Sequence, residues 1–359
     1  YMDARLKAFL LLNACQCFDG RAVEALAQRG IKPEDLLEAP ALLKALGASE
    51  SSISVWSDLQ RDGWAEREWE KCLKLKVDVV CFGDGRYPKG LLDLSSPPLL
   101  LYLWGASPLD DGGVAVVGTR RPSTYGLRIA KELGRELAAA GFVVVSGGAY
   151  GIDCAAQEAA LEADGSSIAV LGTGVDCVYP SSNRRLFERL KESGLLVSEY
   201  PLSSQARPWR FPKRNRIIAG VSRSVVVVEA PQRSGAMITA RIAMEIGRDL
   251  WAVPGRVDEE VCRGSNLLIF DGAQPLIDIP AFCSLLGGNV IFEGESQMRE
   301  LSVEEKLVYS MLKERGERTV DNIASEAKMS AADAMLALGM LTAKGLVASS
   351  GPGRWSAIR

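Results

Sequence analysis

Three stretches of this chain hold residue types suited to binding or reacting with a charged ligand. Gly118-Thr-Arg-Arg-Pro-Ser123 and Ser146-Gly-Gly-Ala-Tyr-Gly-Ile-Asp153 combine glycine with polar side chains. Pro201 to Ser224 carries Arg207, Arg210, Lys213, Arg214, Arg216 and Arg223 without one acidic residue. Glycine lets a ligand approach backbone N–H groups, helix N-termini favour negative charge, and arginine or lysine neutralises it, so these residues suit anion binding. Gly118 to Lys131 is also free of acids, and its Arg120 and Arg121 sit on a glycine turn, which a merely solvated helix face would not need. Trp209, Phe211 and Asn215 are interleaved with the cations of the third stretch. Rings so placed suit stacking on unpaired nucleobases; Trp209 and Phe211 read equally well as core residues.

Catalysis finds little support in the same residues. The chain has no histidine, which removes Ser-His-Asp and Cys-His catalysis and imidazole general bases together. The carboxylates near the glycine stretches are Asp153, Glu199 and Glu229. Asp153 reads as a first-turn acid complementing a helix N-terminus, and Glu199 and Glu229 close strands where arginines lie near enough to pair with them. Eight cysteines are scattered without a C-x-x-C pair, a pattern of reduced thiols, so no metal is expected. The nearest approach to a dinucleotide fingerprint, Gly172-Thr-Gly174, has Cys177 where the third glycine belongs, and no Gly-Lys-Ser/Thr follows a glycine loop. Hydride transfer and P-loop hydrolysis are therefore not expected.

The elements that position these loops alternate strand and helix. Val114 to Val117 is an apolar run of the kind buried on both faces of a parallel sheet; Tyr125 to Ala140 has helical spacing; Gly141 stops it, and Phe142 to Val145 repeats the strand. Further strands are expected at Ser167 to Leu171, Leu195 to Tyr200, Ser224 to Glu229, Asp249 to Val253 and Pro275 to Ile279, with helices over about Ser182 to Glu192, Ala236 to Gly247 and from Arg263. Two strand-like runs, Val77 to Gly83 and Leu99 to Trp104, extend the sheet ahead of them. The expected fold is α/β, an extended Rossmann-like, mostly parallel sheet, with both glycine loops at neighbouring strand ends where open sheets hold ligands.

Residues 1–75 read as a helical module, either a helix-hairpin-helix that grips phosphates or a packing and interaction module. Its turn Asn13 to Gly20 lacks paired glycines and acids slightly outnumber bases there, which favours the second reading. The sheet domain is expected over 76–290, a polar linker over Glu293 to Met298, and a winged helix over 300–359 from three helical runs and a hairpin at Gly345 to Ile358. Net charge is −3 from 42 Lys+Arg and 45 Asp+Glu, so a nucleic-acid partner must be met by a local patch. The longest apolar runs, such as Phe9 to Leu12, fall far short of the roughly 18 residues a membrane span needs, and no basic-then-apolar leader is evident, so a cytoplasmic location without membrane contact is expected.

Gly118 to Gly126, Ser146 to Asp153, Phe211-Pro-Lys-Arg-Asn-Arg216 and Ser234-Gly-Ala-Met-Ile-Thr-Ala240, with Pro254-Gly255 and Gly264-Ser-Asn266, closely resemble the DNA processing protein A (DprA, or Smf) family over about residues 78–280. The flanking modules resemble that family's usual flanks, including a SAM- or helix-hairpin-helix-like N-terminal one. The resemblance implies a homodimeric single-stranded DNA-binding protein that protects incoming strands and loads the recombinase RecA during natural transformation, with neither catalysis nor a cofactor. Carried over by motif, it implies a strand pocket of Gly118, Arg120, Ser146, Gly147, Gly148, Lys213, Asn215 and Arg216, with Phe211 beside it; Arg121 and Arg214 join it from the basic stretches. Gln157 stands where relatives often place histidine. The alternative is a nucleoside-monophosphate phosphoribohydrolase of the related lysine-decarboxylase-like fold, but the comparable loop, Gln232 to Thr239, lacks that group's first-turn glutamate. A transcriptional regulator is a third reading, resting only on the winged helix.

Overall fold

The apolar runs pair into one nine-stranded sheet: β1 (Asp78–Cys81), β2 (Leu100–Gly105), β3 (Gly113–Val117), β4 (Val144–Ser146), β5 (Ser167–Val170), β6 (Leu195–Ser198), β7 (Ser222–Val227), β8 (Asp249–Ala252) and β9 (Gln274–Pro275). Their spatial order is β1-β2-β6-β5-β4-β3-β7-β8-β9. β2 runs antiparallel to both β1 and β6, and every other pairing is parallel. This computed structural model describes residues 2–109, 112–287, 301–344, 346–351 and 353–357. The expected linker Glu293 to Met298 and the outer bounds of the expected hairpin, Gly345 and Ile358, lie outside the described residues.

The order of the strands decides where a ligand can sit. From β3 the chain steps through β4 and β5 to β6 on one side, then returns to place β7, β8 and β9 on the other. Right-handed crossovers therefore put the helices that leave β3, β4 and β5 on one face and those serving β7 and β8 on the opposite face. The β3/β7 boundary is the topological switch point, where diverging connections open a crevice at the strands' carboxyl ends. β3 and β7 are buried along almost their whole length, as strands covered on both faces must be.

On the first face, helix Thr124–Ala139 packs against helix Ile152–Glu162. Their approach depends on Gly134, where a Cβ would overlap the Ala156 carbonyl. Gly134→Ala should therefore push the two helices apart and cost about 1–3 kcal/mol, read as a lower urea midpoint at unchanged slope. An unchanged midpoint would mean the helix pair yields freely there.

Helices within 4–75 bury Phe9, Leu10, Leu11, Leu12 and Trp56 in the same core as β1 and β2. Buried polar ties reinforce the join: Asn13 Nδ2 donates to the Glu199 carbonyl at 3.0 Å, and the Leu202 N–H donates to Glu68 Oε1 at 2.7 Å. The first tie reaches the chain just after β6 and the second the start of the basic stretch. Contacts divide the chain into two compact units, Tyr1–Asn289 and Val290–Arg359. The second has its own core around Val308, Leu312, Ile323, Leu338 and Leu341. Among the described residues it holds helices Val303–Arg315, Val320–Ala327 and Ala331–Ala343 with strands β10 (Arg318–Thr319), β11 (Val347–Gly351) and β12 (Arg354–Ala357), ordered β10-β12-β11.

Candidate nucleic-acid interface

At the switch point the loops after β3 and β7 and the start of helix Arg210–Gly220 enclose a cleft of about 1040 Å³. Gly118 and Thr119 line it, with Arg120, Arg121, Phe211, Asn215, Arg233 and Ser234. Gly118 is required by crowding beneath it, since a Cβ there would lie 2.6 Å from Ile152 Cγ1 and 2.9 Å from the Glu229 carbonyl. The Thr119 N–H donates to that carbonyl at 2.7 Å, tying the β3 loop to the β7 loop. The cleft is thus floored by two joined strand ends.

The loop Ser146 to Asp153 is braced from below. Ser146 Oγ donates to the Val116 carbonyl at 2.7 Å; the Gly147 N–H donates to Asp153 Oδ2 at 3.0 Å and the Gly148 N–H to Gln157 Oε1 at 3.0 Å. Gln157, fully buried, also donates from Nε2 to Ser167 Oγ and the Ile168 carbonyl at 3.1 Å each. Asn183 Nδ2 holds the Gly148 carbonyl at 3.1 Å. Ser146 and the N–H groups of Gly147 and Gly148 therefore spend their hydrogen bonds inside the protein. Gln157, where the resemblance expects histidine, and Asn183 act as loop braces, a role that shows only when the loop's backbone partners are traced.

The basic stretch separates into exposed and buried cations because Arg210–Gly220 folds as a helix, for which the sequence reading had no element. Arg214 is 4% exposed. Its Nη1 donates to the Gly147 carbonyl at 2.8 Å and to the Val170 carbonyl, and its Nε to Asn215 Oδ1 at 3.2 Å. Burial lowers its pKa to about 10 against the opposing pull of Asp153, so it stays charged at neutral pH. Burial raises the pKa of the Asp153 carboxyl, with Arg214 pulling the other way. Arg216 is buried on Glu199, with Nη2 to Oε2 at 2.6 Å and Nη1 to Oε1 at 3.2 Å, and Lys213 Nζ lies 4.0 Å from the same carboxylate. Helical periodicity turns Arg214 and Arg216 inward, so they support the cleft instead of facing its solvent, while Lys213 keeps 36% of its side chain exposed beside Glu199.

Arg120, Arg121 and Arg233 are exposed at the cleft and form no salt bridge among the described residues. The Arg120 guanidinium sits 5.4 Å from the Phe211 ring, and Phe211 meets Tyr179 at 5.3 Å between centroids. Phe211 rests on Gly172, where a Cβ would lie 2.9 Å from its Cδ1. Phe211 is half-buried and Trp209 exposed, so neither ring is a core residue. Asn215 Nδ2 donates to the Gly235 carbonyl at 3.1 Å, fixing the loop that carries Arg233.

The carboxylates are occupied. Among the described residues Glu229 pairs with no arginine; its Oε2 accepts the Ser123 N–H at 2.9 Å and its Oε1 the Ser123 hydroxyl at 2.5 Å. That contact locks the residue capping helix Thr124–Ala139, whose N-terminus favours the negative charge. Glu199 is taken by Arg216, and Asp153 by the Gly147 N–H under the Arg214 charge. Residues 78–287 match the family model of DNA recombination-mediator protein A. The chain belongs to that family. Among its relatives, Protein Smf of Synechocystis sp. is 39% identical over 231 residues, covering 63% of this chain and 58% of its own length, so the match spans less than two thirds of that relative. The crystal structure of DNA processing protein A from Streptococcus pneumoniae superposes with a TM-score of 0.67 at 32% identity, covering 80% of this chain and 97% of that one. DNA processing protein A from Helicobacter pylori, a structure concerned with its single-stranded DNA binding mode, gives a TM-score of 0.54 at 33% identity, covering 59% of this chain and 96% of that one. The family match spans β1 through β9 and so includes both cleft loops.

Proposed function

We propose that this family member binds single-stranded DNA in the switch-point cleft, without catalysis or a cofactor, and protects incoming strands and loads RecA onto them in natural transformation. The observation that carries the reading is the set of exposed arginines, Arg120, Arg121 and Arg233, around a glycine-floored cleft with Phe211 and Tyr179 at its wall. Cations track a phosphate backbone and flat rings accept unstacked bases whatever their sequence, which a paired duplex cannot offer them. The single-strand binding mode of the Helicobacter pylori relative supports the ligand. The internal engagement of Asp153, Glu199 and Glu229 supports a binding role over hydrolysis.

We read the pocket as Gly118, Arg120, Arg121, Phe211 and Asn215, with Arg233 added and with Ser146, Gly147, Gly148, Lys213, Arg214 and Arg216 as its scaffold. The C-terminal unit reads as a winged helix. Its helix Ala331–Ala343 exposes Met335, Leu336 and Met340 and carries no Arg, Asn or Gln for base edges, which favours contact with protein over duplex readout. Exposed Phe270, Ile277 and Leu285 along the β9 edge supply apolar surface suited to a homodimer.

Fluorescence anisotropy with labelled single- and double-stranded oligonucleotides of equal length tests the reading, with light scattering on the complex. Single strands should bind at least about 10-fold tighter, a margin of about 1.4 kcal/mol, on a particle of two protomers. Equal affinity for duplex, or steady hydrolysis of a nucleoside monophosphate that fails on Glu229→Gln, would overturn it.

A further inference from the structure

We propose that Trp209 forms a second base-stacking subsite for the single strand, on the rim of the cleft and separate from the Phe211 wall; this rests on the single-strand reading above. Trp209 is 54% exposed although it stands directly before helix Arg210–Gly220, in a chain with ample core to bury it. An isolated surface tryptophan by itself needs no explanation. What distinguishes this one is its seating and its surroundings.

The indole is held against a fixed base. Tyr200, fully buried, meets it edge-on with centroids 6.3 Å apart and planes at 82°. The Arg210 guanidinium lies 4.4 Å from the Tyr200 centroid and 5.3 Å from the Trp209 centroid, and its Nη1 is anchored on the Gln205 carbonyl at 2.9 Å. A ring so placed keeps its orientation without a ligand, so little ordering entropy opposes stacking on it. Pro208, with its fixed backbone, stiffens the approach to it.

The shelf is continuous with the cleft along the chain, since Ala206, Pro208, Phe211 and Pro212 on either side of Trp209 all line it. The stretch that carries it is basic in sequence, and the Asp176 carboxylate that reaches that stretch is taken by the Ser203 N–H and hydroxyl. Arg207 and Arg210 flank Trp209, no acid occurs from Pro201 to Ser224, and Glu199 just before that stretch is buried and bound by Arg216. A flat, fixed π-surface among cations selects a flat ring on a polyanion, which is a nucleobase of a strand whose neighbouring phosphates meet the arginines.

Anisotropy with labelled oligothymidylates from about four to about sixteen nucleotides, the range of single-strand site sizes, tests the subsite in the full chain. With the native protein, affinity should rise with length as the strand spans cleft and shelf. Trp209→Ala should leave the shortest bound strand unchanged and lose the gain for longer ones, by roughly 5- to 100-fold for one stacked base. Trp209→Phe should recover most of the loss and Trp209→Leu little, which separates stacking from simple apolar contact. Strand binding should quench native tryptophan emission more than that of Trp209→Phe. Native-like length dependence in Trp209→Ala would overturn the subsite and leave the cleft reading standing. Equal loss at every length, including the shortest, would make Trp209 part of the cleft and also overturn it. Failure of the native chain to bind any strand would remove the cleft reading and the subsite with it.

Discussion

Arg214→Met is expected to lose about 3–5 kcal/mol of folding stability, the cost of stranding a charge whose buried partner has been removed. The guanidinium holds the Gly147 and Val170 carbonyls and opposes Asp153, which is itself almost wholly buried. Methionine fills a similar volume, so the loss reports charge and hydrogen bonds more than a cavity. Adding Asp153→Asn should restore about 1–3 kcal/mol, because the two side chains act as one unit. The loss should also depend on pH. Burial already raises the Asp153 carboxyl, and without Arg214 its folded-state pKa climbs further above the unfolded one. Between those two values the folded chain binds a proton that the unfolded chain lacks, so acidification through that window stabilises the fold. The deficit of Arg214→Met is thus largest above the window and shrinks below it. A deficit equal at neutral and mildly acidic pH in urea titrations would show that Asp153 carries no buried charge.

The same arginine explains where the sequence was legible and where it was not. Strand runs such as Val114 to Val117 are apolar on both faces, and burial on both faces follows from that pattern alone, so β3 and β7 fall close to where the residues put them. The glycine loops were legible for a related reason: at Gly118 the crowding against Ile152 and the Glu229 carbonyl leaves no room for a side chain, a constraint written in the residue type. The fate of each cation was not. Pro201 to Ser224 reads as uniformly basic, yet the helix beginning at Arg210 turns Arg214 and Arg216 into the protein while loops leave Arg120 and Arg121 outside. Which carbonyls await an arginine depends on partners such as Val170, far off in the chain, whereas the pairing of Glu199 with an arginine close by was legible. Arg233 was overlooked because one arginine in a turn carries no pattern, and only the closing of the β7 loop against Asn215 brings it to the cleft. Gln157 shows the converse, since a position where relatives often place histidine serves a loop backbone.

That sorting of cations sets the salt dependence of strand binding. Only side chains free to neutralise a strand phosphate, and so release its condensed counterions, contribute to the slope, and Arg214 and Arg216 are already desolvated and compensated inside the protein. Lys213, close to Glu199, is partly spoken for. For a strand short enough to occupy the cleft alone, with Arg120, Arg121 and Arg233 as the contributors, log affinity should fall with log salt at a slope of about −2, from roughly −0.7 per phosphate on single strands. Counting Arg120, Lys213, Arg214 and Arg216 from the sequence motif alone leads to about −3. Arg120→Ala with Arg233→Ala should shallow the slope by roughly 1.4 and weaken binding about 100-fold at low salt, taking about 1.5 kcal/mol for each charge-assisted contact. The loss should fall equally on all sequences, since phosphate contacts carry no base information. Arg21→Ala with Arg29→Ala in the N-terminal helices should leave slope and affinity unchanged, because Arg21 is spent on Glu24 and the Leu92 and Leu94 carbonyls, and Arg29 on the Ala45 carbonyl. A native slope in the cleft double variant, or a lost one in the N-terminal pair, would move the strand to another face of the protein.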